Sequence, residues 1–237
     1  MAIARTTGLL MVASVWLTGC NVIRSTPKYA LTDGTYYSSL FGSKQRVYVA
    51  TFMDTIRVSA LPGAAARQVP AAHRVLRFAP EQAHGPITAH GFTKSSFDVD
   101  FLTIPFKYRP PVASFPRQFN TNLNGAIYLG YRFDRFGLSY RQSPLQTDVR
   151  RVTHYGLSVG AFTGLGATAI NPWVTQNLVN AEYDGVVWSK GIAGIAGIDN
   201  VTVGVALGWD DLLDTNQSVW IYERRPWIGL AFGLNIN

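Results

Sequence analysis

The chain carries four histidines, His73, His84, His90 and His154, and only His154 falls in a strongly alternating segment. It shares a face with Ser158 and Gly160. A histidine beside a serine is the beginning of an acyl-transfer apparatus, in which the imidazole takes the hydroxyl proton. The spacing denies this within one strand, because positions four apart lie about 13 Å from each other at about 3.3 Å per residue. His154 is therefore expected to pack in an interior or at a rim, and no catalytic residue is assigned. Asp210, Asp211 and Asp214 crowd together like a cation site, yet they lack the glycine and the distal glutamate of a calcium loop. A solvated loop is expected there. No zinc set, phosphate loop or nucleophile elbow occurs, so neither a metal nor a cofactor is expected. Lys107, Arg109 and Arg132 lie on the small-residue faces of their segments. With His154 they are expected to face a lumen and to pair with carboxylates there.

Those side chains must be positioned by strands, because the apolar residues recur with period two. Ile228, Leu230, Phe232, Leu234 and Ile236 alternate with Gly229, Ala231, Gly233, Asn235 and Asn237. Val203, Val205, Leu207 and Trp209 alternate with Thr202, Gly204, Ala206, Gly208 and Asp210. Ile127, Leu129, Tyr131 and Phe133 alternate with Ala126, Tyr128, Gly130 and Arg132. Leu102, Ile104, Phe106 and Tyr108 are read as a fourth bulky face, opposite Thr103, Pro105, Lys107 and Arg109. A sheet with one wet face would carry Lys, Glu and Thr opposite its core. Here the second face is mostly Gly and Ala. Small residues suit the inside of a narrow barrel, which turns the bulky face outward toward acyl chains. Tyr108, Tyr131, Phe133, Trp188, Trp209 and Trp227 lie near strand ends, as interfacial girdles do.

Turns expected at Asp134-Arg135 and Asp199-Asn200, and loops over 109–121, 143–152 and 210–226, divide the body into seven strands. An eighth over 173–179 restores the alternation of short turns and long loops and puts both ends of the body on one side. The expectation is an all-β chain: an antiparallel up-and-down β-barrel over 91–237, with eight strands as the best count and six or ten as the alternatives, preceded by a small β-hairpin region and connector over 28–90. Strands are expected over 35–38, 46–52 and 55–61, the last two joined tightly at Met53-Asp54. Asp98 and Asp100 are expected to mark a membrane boundary. An interior this narrow is filled by side chains, so a general pore is not expected.

Composition agrees with hydrophobicity spread over strands. Charged residues make up 15% of the chain, against about 25% in ordinary soluble domains, while aromatics reach 13% and glycine numbers 22. The net charge of +7 suits anionic headgroups or the phosphates of lipopolysaccharide. No basic helix or ribonucleoprotein motif accompanies that charge, so nucleic acid is not an expected partner.

Arg5, the apolar run from Gly8 to Leu17, and the small pair Thr18-Gly19 precede Cys20, the only cysteine. Leu17-Thr18-Gly19-Cys20 resembles a bacterial lipobox. The resemblance implies a signal peptide over 1–19, diacylglycerol on the Cys20 thiol and a lipidated tether over 20–27. Asn21, in place of the aspartate that favours inner-membrane retention, implies the outer membrane, anchored from the periplasmic side. Residues 92–237 are similar to small bacterial outer-membrane β-barrel proteins, although Asn235-Ile236-Asn237 replaces the usual terminal aromatic. Segments 101–110 and 226–237 also resemble uncharacterised envelope proteins of Bacteroidota-type bacteria. The expected function is that of a non-enzymatic outer-membrane lipoprotein with a structural, scaffold or interaction role. Membrane lipid and lipopolysaccharide are its expected partners, and it is expected to be a monomer. Two alternatives stand beside it. One is a soluble, lipid-anchored binding protein of lipocalin type, on the faint likeness of Gly34-Thr35-Tyr36 to that family's opening motif. The other is a lipid-modifying envelope enzyme built around His154.

Overall fold

The computed structural model describes residues 30–61, 75–83, 85, 88–112, 115–144, 147–198 and 201–235. The segment expected to be a signal peptide, Cys20, His73, His84 and the turn expected at Asp199-Asn200 lie outside them. Twelve strands follow in chain order: β1 Gly34–Ser38, β2 Gln45–Phe52, β3 Thr55–Ala60, β4 Val75–Phe78, β5 Glu81–Ala83, β6 His90–Arg109, β7 Gln118–Asn120, β8 Asn124–Gln142, β9 Thr147–Ile170, β10 Tyr183–Ile198, β11 Val201–Leu212 and β12 Pro226–Asn235. All are antiparallel to their neighbours. The β2–β3 turn falls at Met53 and Asp54, both with positive φ, the backbone that matches the twist of a two-residue hairpin.

Six strands close on themselves in the order β6-β8-β9-β10-β11-β12, with β12 returning to pair along β6. The sheet closes a second time at one end of that ring. From β6 the path runs through β1, β2, β3 and β4, turns at Ala79-Pro80, and β5 returns it to β9. Arg150 holds this corner: its amide donates to the Pro80 carbonyl and its guanidinium to the Phe78 and Asp54 carbonyls. The Tyr140 hydroxyl donates to the Ala79 carbonyl. The strands β6, β8 and β9, of 20, 19 and 24 residues, are therefore shared by two stacked units. The lower unit has its own core, in which Tyr36, Val47, Val49, Val58, Phe92, Phe136 and Leu138 are buried.

The ring has six strands, the lower of the alternatives to the best count of eight, for two identifiable reasons. Asp134-Arg135 is not a turn, because β8 runs straight through it from Asn124 to Gln142. A charged pair in mid-strand imitates a turn when one member points into a polar interior and the other to the outside. Residues 173–175 form a single 3-10 turn held by Asn171, whose side-chain oxygen accepts from the Val174 amide. Both corrections remove one strand, so the even number survives and both ends of the ring remain on one side. The connection expected over 143–152 is only 143–146. The long loops, 110–123, 171–182 and 213–225, thus gather at the end opposite the lower unit.

On β6, Thr103 pairs with Phe232 and Phe106 with Leu230, so Ile104 and Pro105 together oppose Ala231. This is a β-bulge at a proline, which has no N–H to give the ladder. It reverses the facing of everything before it. Leu102 and Ile104 are buried inside the ring on the same side as Lys107 and Arg109, contrary to the simple alternation.

Candidate functional site

Two polar clusters occupy the ring interior, separated by an apolar layer. Near the loop end, Asp210 is fully buried and receives hydrogen bonds from Lys107 Nζ (3.1 Å to each oxygen), Ser189 Oγ (2.7 Å) and Trp227 Nε1 (2.9 Å). Arg109 Nη2 completes the shell. Lys107 also lies 4.4 Å from the Trp227 ring centroid, and Arg109 stands 5.1 Å from those of both Trp220 and Tyr222. Burying one carboxylate is costly unless it is paired and hydrogen-bonded, and here every side of Asp210 meets a donor. The loops close over this cluster: Trp220 and Tyr222 pack with Ile170, Val174, Val187 and Leu212. Burial in that cap pushes the Tyr222 phenol above its ordinary value.

At the other end, Asp134 accepts from Arg132 Nε and faces His154 Nε2, each at 2.7 Å. Arg132 also approaches Asp98 at 3.9 Å. The Phe136 ring lies against His154 with centroids 4.6 Å apart, which ties this cluster to the lower core. Ser158 does not meet His154; it is hydrogen-bonded to the Tyr128 hydroxyl at 2.8 Å. Between the clusters, Leu102, Ile104, Ala126, Phe162, Ala193, Ile195 and Ala206 fill the ring.

Lys107, Arg109, Arg132 and His154 are therefore all buried and turned inward, in two separate groups. Sequence reasoning missed their carboxylate partners. Asp98 and Asp100 are buried inside the ring and mark no outer boundary, because the bulge at Pro105 places them on the inner face. Asp210 and Asp211 belong to β11, not to a solvated loop. Asp211 meets Lys190 Nζ at 2.6 Å and Arg224 Nε at 2.9 Å, while Asp214 in the loop accepts from the Tyr183 hydroxyl at 2.8 Å. Trp227, expected in a girdle, is wholly inside. Its indole fits because β11 offers Gly208 opposite, where a Cβ would stand 2.3 Å from the ring. No group of three or more His, Cys, Asp or Glu suited to a metal occurs among the described residues.

The outer face of the ring is the reverse of the inner one. Phe97, Leu123, Leu129 and Val159 are 85%, 75%, 61% and 59% exposed, and Ile127, Tyr131, Phe133, Tyr155, Leu157, Leu165, Val186, Ile192, Val205 and Ile228 are exposed beside them. Along β8 and the residue just before it this surface runs from Leu123 to Phe133, about 33 Å along the chain at about 3.3 Å per residue. At a tilt of about 45° that is a height of roughly 23 Å, against about 25 Å for the apolar band of membrane β-barrels. Lys190 is the one outward cation within it among the described residues, and it turns its ammonium over Trp188 (4.3 Å) toward Asp211. Below Phe133 and Tyr155 the outward residues become mixed, with Arg135, Arg141 and Arg151 exposed beside Val149, Tyr37 and Tyr48. No helix among the described residues is long and apolar enough to cross a membrane, which says nothing of strands.

Comparison with protein-family models, with curated proteins and with solved structures finds no match to this chain. Architecture alone defines its class: an all-β chain with a six-strand antiparallel ring, polar and apolar layers inside, and a continuous apolar belt outside.

Proposed function

We propose that this chain is a non-enzymatic outer-membrane lipoprotein whose six-strand ring is itself integral to the bilayer. The observation that carries the reading is the belt: bulky apolar side chains encircle the ring on the outside, while charged residues of the ring lie within as ion pairs, beside Gly, Ala and a layer of Leu102, Ile104, Phe162 and Ile195. A water-soluble sheet would bury the first set and expose the charged one. Monomeric soluble proteins rarely expose an apolar patch beyond a few hundred Å². The Leu-Thr-Gly-Cys20 sequence supports acylation at Cys20 as a second attachment. The lower unit and both ends of the ring then share the periplasmic side with that anchor, and the three long loops face outward.

A scaffold or interaction role suits an interior occupied by paired side chains. His154 and Ser158 are each committed to another partner, Asp134 and Tyr128, which supports a role for them in packing rather than in acyl transfer. The test is extraction. In the Cys20→Ala chain, which carries no acyl group, the protein is expected to stay with the membrane through alkaline carbonate and urea. Recovery of that variant as a soluble monomer without detergent would sink the integral-ring reading and favour a lipid-anchored soluble protein.

A further inference from the structure

Where the apolar belt stops on the side of the lower unit, Tyr37, Thr93, Ser95, Phe133, Asp134 and Arg135 line a groove of about 410 Å³, with Lys94 and, from the β1–β2 connection, Lys44 also in its wall. We infer that this groove is a binding site for a single anionic phospholipid, its phosphate held by Arg135 and Lys44 and its acyl chains laid along Phe133 and the belt above. The inference rests on the membrane-spanning reading and adds to it a named partner and place.

Charge supports it first. Arg135 and Lys44 are both exposed, and neither has an ion-pair partner among the described residues. Asp134, the one acid beside the groove, turns its carboxylate inward to Arg132 and His154 and does not compete. Lys94 also lines the groove, with its ammonium 5.6 Å from the Tyr36 ring centroid, and adds positive charge at its wall. A guanidinium is suited to bidentate capture of phosphate, and a nearby ammonium adds a point charge.

Height supports it independently. Phe133 is the last belt residue on β8, and with Tyr131 and Phe97 it forms an edge-to-face aromatic group, with centroids 5.1 and 5.9 Å apart. Arg135 is the next outward residue, about 7 Å further along the strand and so about 5 Å deeper toward the headgroups at a tilt of about 45°. The headgroup layer on each side of a bilayer is about 5–8 Å deep. With Phe133 at the edge of the hydrocarbon, the guanidinium lies at phosphate depth. The groove is thus continuous with the belt, cationic where phosphate would be and apolar where acyl chains would be.

The full chain, purified in a neutral detergent, can be titrated with phosphatidylglycerol or with phosphatidylcholine and read by native mass spectrometry. The expected result is preferential retention of one phosphatidylglycerol, with its apparent affinity lowered about tenfold or more in the Lys44→Gln/Arg135→Gln double variant. The Arg77→Gln/Arg141→Gln double variant removes the same charge from exposed positions in the lower unit and is expected to bind as the parent does. Equal retention of the two lipids, or equal loss in both double variants, would overturn the site while leaving the spanning ring intact. Release of the acyl-free chain by carbonate would overturn the ring and this site together, so the two failures are distinguishable.

Discussion

Asp210 is the residue on which the loop-end interior converges. Lys107, Arg109, Ser189 and Trp227 reach it from three other strands. The cations were legible in the sequence because alternation puts them on a face of small residues. Their partner was not, because Lys107 and Asp210 are 103 residues apart and meet only when β12 closes the ring between β6 and β11. The Asp210-Asp211 pair also resembles loop sequence. Asp210→Ala leaves two cations buried without a counter-charge, and removing one partner of a buried ion pair costs about 3–5 kcal/mol. A stability loss of that size, read from a lowered urea midpoint, is expected for Asp210→Ala. Asp214→Ala, whose carboxylate lies at the Tyr183 hydroxyl in the loop, is expected to lose much less. Equal midpoints for the two variants would show that the cluster is not a structural centre. His154 teaches a similar lesson. Its face was readable, whereas its bond to Asp134 depends on a β8 that continues through a charged pair resembling a turn.

At the scale of elements, a ring of only six strands is narrower than the eight-strand barrels whose interiors side chains just fill, and glycine is what lets it close. Gly208 and Gly194 make a controlled comparison on adjacent strands. A Cβ at Gly208 would lie 2.3 Å from Trp227, whereas Gly194 faces outward with nothing within 4 Å. Gly208→Val must displace the indole that donates to Asp210, and overpacking of this kind costs about 1–3 kcal/mol. Gly194→Val only adds to the outer belt. The urea midpoint is expected to fall for the first and to hold or rise for the second; the opposite order would mean that inner and outer faces are misassigned. The alternation of β8, β9, β11 and β12 was readable from period two alone. The facing of β6 was not, because one proline at position 105 inserts a bulge, and a one-residue slip moves every later side chain to the other face.

For the whole molecule, the two stacked units present different outsides on shared strands, a continuous apolar belt around the ring and a mixed polar and apolar surface around the lower unit. β8 carries Leu129 in the middle of the apolar belt and Arg141 near its far end, so a single strand passes from an apolar surface to a mixed one. The all-β class and the bulky-out arrangement could be read from the sequence, since they need only local alternation. The shared strands could not, because the second closure depends on β4 and β5 bending at Ala79-Pro80 to reach β9. This contrast yields a direct test of what surrounds each unit. An arginine on the lipid face of a membrane β-barrel costs about 2–4 kcal/mol at the bilayer midplane and about 0–1 near the interface. Leu129→Arg is expected to lose that larger amount in reversible unfolding from vesicles. Tyr48→Arg, at an exposed position of β2 in the lower unit, is expected to change stability by less than about 0.5 kcal/mol. Between them, Phe133→Arg at the belt's lower edge is expected to fall near the interfacial value, giving a cost that declines with distance from Leu129. If all three substitutions cost the same, position relative to the belt would not matter, and water rather than acyl chains would be the medium around the ring.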